Sequence, residues 1–236
     1  MLPALERHHE VLAPTLAGHA GGPAIDGRVS HDALADALQD AMDEAGFELA
    51  HIAGNSLGGF MALRLAERGR ALTVVALAPA GGWPPGDPGA LEALERHRTM
   101  QGLVQGAAPH ADRIVASEEG RRRASQYTTV RFEHIPEELL AHQIRGAASC
   151  PAALALLDYA ADPGYALDAE RIACPVRIVW GTEDRLLPWP RAATRYRTEW
   201  LPNADWVELG GVGHSPQLDV PAQAAELILG FTAPVS

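Results

Sequence analysis

The sequence predicts an α/β fold: a mostly parallel sheet with helices on both faces, and a helical cap inserted into it. Two observations carry that expectation. Short apolar runs alternate with segments whose apolar residues recur at helical spacing, as parallel strands and their crossover helices do. The alternation stops between Trp83 and about Tyr165, where only helical patterns occur, and then resumes. A chain of 236 residues that is 47% hydrophobic can bury a sizeable core. The expected organisation is one core made of residues 1–82 and 166–236, with residues 83–165 as the cap insertion.

Taken in order, a short helical start precedes residues 9–15 (His-Glu-Val-Leu-Ala-Pro-Thr), which read as a strand, and residues 16–22, a glycine-rich loop. Ser30 suits the N-cap of a helix over 31–45, where Leu34, Ala37, Leu38, Ala41 and Met42 recur at helical spacing and Gly46 ends the pattern. Residues 49–53 form a short apolar strand, 56–68 a helix with Met61, Leu63 and Leu65, and 71–77 a buried strand. The Pro/Gly stretch 83–89 opens the cap, with helices expected over 90–105, 111–128, 136–145 and 151–160. The sheet resumes with a strand over 175–180, then one more helix, a last strand over 205–209 and a closing helix over 221–231.

The net charge of -11, from 19 basic and 30 acidic residues, disfavours nucleic acid and anionic membranes as partners, because both would repel the chain. The expected partner is a small-molecule substrate; the oligomeric state is not legible. Cys150 and Cys174 read as free thiols, no apolar run approaches a membrane span, and no signal-peptide pattern opens the chain, so a cytoplasmic location is expected. The cysteines lie far apart and no histidine pair has ligand spacing, so neither a metal nor another cofactor is expected.

Gly54-Asn55-Ser56-Leu57-Gly58 matches G-x-S-x-G and lies between an apolar strand and a helix, where a strand-to-helix turn would expose the serine. Such a turn strains the serine backbone, and the positions two residues away on each side need almost no side chain, which Gly54 and Gly58 satisfy. A serine hydroxyl is a poor nucleophile, so it needs an imidazole to take its proton and a carboxylate to orient that imidazole. Asp184, just past a strand, and His214, in the glycine-rich loop 210–216, provide them in the order Ser, Asp, His. Glu183 is the rival acid. The other histidines read as background, His51 as a satisfied residue on a buried strand and His19 as a loop stabiliser. Arg121-Arg122-Arg123 reads as a solvated helix face. Leu139, Leu140, Ile144, Leu154, Leu156 and Leu157 fit a pocket wall and a cap core equally well.

At these residues the chain resembles the capped, serine-nucleophile members of the α/β-hydrolase superfamily. Residues 181–188 (Gly-Thr-Glu-Asp-Arg-Leu-Leu-Pro) and 213–221 (Gly-His-Ser-Pro-Gln-Leu-Asp-Val-Pro) look like its acid and histidine loops. Ala13-Pro14 through Gly18-His19 looks like its loop after strand four, and the resemblance covers nearly the whole chain outside the cap. It implies Ser56 as nucleophile, Asp184 as acid, His214 as base and the Leu57 backbone N–H as one of two oxyanion donors. The second donor normally follows strand three, whereas Met1 to His8 resembles the helix after that loop, so strands one to three are expected to be missing. Removing strand three, which lies between strands four and five in the family, implies a gap of roughly 10 Å in the sheet. A natural start roughly 30 to 40 residues upstream is the corresponding expectation.

The implied activity is carboxylesterase-like cleavage of a small ester-like acyl substrate through an acyl-enzyme. The elbow also resembles that of carbon–carbon bond hydrolases acting on ring-cleavage products, and a non-catalytic ligand-binding relative or an inactive truncated fragment completes the alternatives. Serine at position 56 disfavours dehalogenases and epoxide hydrolases of the aspartyl-nucleophile kind.

Overall fold

A computed structural model describes residues 1–162 and 164–232. The apolar runs become four parallel strands, β1 (Ala50–Asn55), β2 (Ala71–Leu77), β3 (Val176–Gly181) and β4 (Asp205–Leu209), in the sheet order β1-β2-β3-β4. Helix α1 (Leu2–Leu5) opens the chain, α2 (His31–Glu44) leads into β1, and α3 (Leu57–Glu67) joins β1 to β2. Between β2 and β3 lie α4 (Pro88–Ala107), α5 (Ala111–Val115), α6 (Glu118–Ser125), α7 (Glu137–Ala148) and α8 (Ala153–Ala161). The short α9 (Pro216–Asp219) and α10 (Pro221–Thr232) follow β4. None of the described helices is long and apolar enough to cross a membrane.

Side chains alternate across a strand, so each central strand feeds two cores. Val74 and Ala76 of β2 and Ile178 and Trp180 of β3 face one side, where they meet Leu34 and Leu38 of α2 and Phe60, Met61 and Leu63 of α3. Val75, Leu77 and Val179 face the other, against Leu5 of α1 and Ala225 and Ile228 of α10. Burying one such large side chain contributes about 2 kcal/mol, so these two layers hold the sheet far more than any single polar contact. Local signals set the ends of α2: the Ser30 hydroxyl accepts a hydrogen bond from the Ala33 N–H at 3.0 Å, and Gly46 takes φ 81°. Because all four strands run the same way, Asn55, Leu77, Gly181 and Leu209 end at one edge of the sheet, and the loops beyond them share one crevice.

Four expectations are corrected. Residues 9–15 are not a strand: they join no ladder and, from Leu12 to Thr15, lie exposed. A strand needs a hydrogen-bonding neighbour, and no described strand lies beside this segment. β1 is accordingly an edge strand, and His51 is exposed rather than buried, its Nδ1 bonded to the Thr73 hydroxyl at 2.9 Å. The helix expected over 111–128 breaks after Val115, where Ser117 caps a new helix by accepting from the Gly120 N–H at 3.1 Å. Finally, the helix expected between β3 and β4 is a 3₁₀ turn (Arg191–Ala193) and a π-helical turn (Tyr196–Trp200), seated by a Tyr196 hydroxyl bond to Ala80 O at 2.6 Å.

The helical insertion has a small core of its own. Val115, Phe132, Ile135, Leu140 and Ile144 pack together, whereas Leu156 of α8 joins the main core. Leu139 and Leu154 are exposed. Arg121, mostly covered, pairs with Glu137 of α7, whereas the exposed Arg122 and Arg123 share Glu119, so the run is a largely solvated face engaged in ion pairs.

Candidate active site

β1 turns into α3 at Ser56, which takes φ 55° and ψ -119°. A non-glycine residue there is strained, and the strain persists because backbone on both sides holds it: Ser56 N–H donates to Leu77 O at 2.9 Å, and Ser56 O accepts from Phe60 and Ala80 N–H at 3.0 Å each. The glycine requirement is asymmetric. A Cβ on Gly54 would collide with the carbonyl of Gly58, whereas a Cβ on Gly58 meets nothing within 4 Å. Only Gly54 is therefore needed for clearance. Leu57 is the first residue of α3, so its N–H is one of the N-terminal donors that the helix itself cannot pair, next to Ser56.

The loops after β3 and β4 bring the acid and the histidine together. His214 Nδ1 lies 2.8 Å from Asp184 Oδ2, and both residues are buried. Asp184 Oδ1 accepts the N–H groups of Leu186 at 2.9 Å and Leu187 at 2.8 Å, so the carboxylate is fixed through both oxygens. A carboxylate can only accept, so Nδ1 carries the proton and Nε2 is left with its lone pair. Among the described residues Nε2 is buried without a partner, Ser56 Oγ included. Glu183 is exposed and bonds the neighbouring loop only through its backbone, to Val212 O at 3.0 Å, so it does not compete with Asp184.

Three residues without an assigned role hold this arrangement. Asn55, the variable position before the serine, donates its amide to Leu77 O and to His214 O, each at 2.9 Å, and accepts from Gln217 at 3.0 Å. It ties the elbow to the histidine loop. Gly181 lets the acid loop pass the carbonyls of Val212 and Gly213, where a Cβ would collide. Asp219, buried on α9, accepts N–H bonds from Gly213 at 2.6 Å, Val130 at 2.8 Å and Arg131 at 2.8 Å, so one carboxylate joins the histidine loop to the segment after α6. No sequence signal marks it, because its burial and its partners Val130 and Arg131 exist only in the fold.

Ser56 and Leu57 open into a cavity of about 610 Å³ whose wall is mostly apolar and includes Trp83, Leu156 and Leu157. Three further histidines line it. His31 is buried among Phe60, Tyr159 and Tyr165, with ring centroids 4.6 to 5.0 Å away. Burial, then Arg64, hold its pKa down to about 4, against the opposing pull of Asp32. His97, on α4, is lowered by burial and by His214 and Arg96, which outweigh the backbone bond to Ala93 and the attraction of Asp184. His19 completes the set; none of the three carries a sequence signal beyond being histidine.

Comparison with known proteins agrees with this fold. The model of the alpha/beta hydrolase family matches residues 1–227. The chain is 34% identical over 204 residues to the epoxide hydrolase EphH of Mycobacterium tuberculosis, covering 86% of this chain and 95% of that protein. It is 25% identical to a 2-hydroxy-6-oxononadienedioate/2-hydroxy-6-oxononatrienedioate hydrolase of a Pseudomonas species, over 85% of this chain and 69% of the relative. Among solved structures, a meta-cleavage product hydrolase from Pseudomonas fluorescens superposes with a TM-score of 0.69 at 22% identity, covering 98% of this chain and 82% of that one.

Proposed function

The chain belongs to the alpha/beta hydrolase family, and from that premise we propose that it is a serine hydrolase acting on a small ester-like acyl substrate, with Ser56, Asp184 and His214 as its triad. The observation that carries this reading is the buried Asp184–His214 pair, whose unpartnered Nε2 belongs to a loop tied to Asn55, the residue next to Ser56. Nε2 takes the Ser56 proton as Oγ bonds to the acyl carbon, and Asp184 stabilises the imidazolium. The Leu57 N–H donates to the oxyanion. Collapse expels the alcohol, which His214 protonates; His214 then deprotonates water, which cleaves the acyl-enzyme and frees Ser56. The helices over 88–161 act as the cap that closes the cavity.

The epoxide hydrolysis named for the EphH relative does not suit a serine nucleophile in this cavity. Serine attack on an epoxide carbon would leave an ether, with no acyl carbon for water to attack, and no Asp or Glu is among the described residues lining the cavity. A carbon–carbon bond hydrolase is the second reading, favoured by the name of the Pseudomonas relative.

A fluorophosphonate probe tests the proposal without a known substrate. The expected result is a single adduct on Ser56, abolished by His214→Ala. Simple esters, dienoic diketo acids and epoxides offered in parallel then separate the readings. Epoxide turnover that survives Ser56→Ala unchanged overturns the serine mechanism.

A further inference from the structure

Resting on the serine-hydrolase reading of this cavity, we propose that His97 determines specificity. Its bare Nε2 accepts a hydrogen bond from a hydroxyl or N–H of the substrate, so preferred substrates carry a hydrogen-bond donor on the part lying under α4.

The tautomer follows from one contact. His97 Nδ1 lies 2.7 Å from the carbonyl oxygen of Ala93, one helical turn earlier. A carbonyl oxygen only accepts, so Nδ1 bears the proton and, in the neutral ring, Nε2 keeps its lone pair. Burial and the neighbouring Arg96 and His214 disfavour a second proton on the ring. No described residue donates to Nε2, while the ring lines the same cavity as Ser56, close enough to His214 and Asp184 to feel both.

The surroundings make that lone pair selective. Much of the wall is apolar, from Trp83 and Ala90 to Leu156 and Leu157. An acceptor set in such a wall and covered by a substrate without a donor stays unpaired, a cost that a donor-bearing substrate avoids. The cavity's own donors are largely engaged: Arg195 is bonded to Glu199 and Tyr165 O, and the Gln101 amide to Ala147 O. His19, its Nδ1 3.3 Å from Ala17 O, and His31, whose buried ring lines the same cavity, are the rival acceptors.

The test uses near-isosteric pairs: methyl 3-(hydroxyphenyl)propanoates, meta and para, against the corresponding tolyl esters. For at least one position the wild-type protein is expected to favour the phenol in kcat/KM by on the order of tenfold, the effect of one neutral hydrogen bond. His97→Leu brings that ratio close to one, and His97→Gln, which retains an acceptor, restores part of it. Protection of Ser56 from the fluorophosphonate by the matching amides reads the same ratio without turnover. A wild-type ratio near one at both positions, a ratio that survives His97→Leu, or one lost in His19→Leu instead overturns the assignment to His97 while leaving the serine mechanism standing. Absence of any Ser56 adduct removes the mechanism, and this inference with it.

Discussion

At the edge of the sheet where the four strands end, backbone lies directly on backbone. Gly54 is pressed against Gly58, and Gly181 against the carbonyls of Val212 and Gly213. In the helical segment over 88–161, contacts run instead through side chains: exposed ion pairs such as Arg98–Asp158 and Arg121–Glu137, a small core around Phe132 and Leu140, and the single carboxylate of Asp219. At Gly54 and Gly181 the first region has no slack to absorb a methyl group. In the second the exposed ion pairs are individually worth little, about 0 to 1 kcal/mol each, so its small core and the buried Asp219 carboxylate carry most of the hold. The difference fits the proposed reading, in which Ser56 is held by backbone contacts while the helical segment rests on side-chain ones.

Gly54→Ala attacks the first region where it is tightest, and it carries the largest expected effect. Its methyl group meets carbonyl backbone that cannot move without unwinding the start of α3, so a loss of about 4 kcal/mol is expected, with loss of Ser56 labelling. Gly58→Ala is the paired measurement. With open space around it and a helical backbone, it leaves the melting temperature equal or raises it, by up to about 1 kcal/mol of stability. Equal melting temperatures for the two variants would show that the elbow has slack after all.

How much was legible in the sequence follows the same division. β1 to β4 and α3 were readable because buried parallel strands are continuous apolar runs and the helices between them keep one apolar stripe. Ser56, Asp184 and His214 stood out as candidates because each follows a strand end, and the structure brings the last two into contact. Residues 9–15 were misread because an apolar run says nothing about whether a pairing strand stands beside it. The break at Ser117 was missed because helical periodicity continues through a cap whose hydroxyl re-forms the next turn. Asn55 and Asp219 went without roles because their importance lies in which backbone groups they meet across the fold, and His97 because only the fold shows that α4 lines the cavity.

Asp219→Ala tests whether one carboxylate couples the two regions. It orphans the N–H groups of Gly213, Val130 and Arg131, for an expected loss of about 3 kcal/mol. Amide hydrogen exchange locates the damage: Val130 and Arg131 should exchange faster than in the wild-type protein, while the amides of β2 and β3 follow only the global change. Unchanged exchange at Val130 and Arg131 would mean that the insertion is held elsewhere.

His31 sits where the two regions meet, on α2 but packed against Tyr159 of α8 and Tyr165 as well as Phe60 of α3. Its pKa falls from 6.5 to about 4 on folding, chiefly because burial removes water from the charged ring. The unfolded chain therefore binds a proton that the folded chain refuses between those two values. The contribution to stability is fully present above pH 6.5 and is lost as the pH falls toward 4, by about 2 kcal/mol between pH 7.5 and pH 5. Denaturant titrations of the wild-type protein and His31→Leu across that range read the difference in slope directly. If the two curves run parallel, the ring has room to keep its proton and water, and the seam between sheet and insertion is looser than its packing implies.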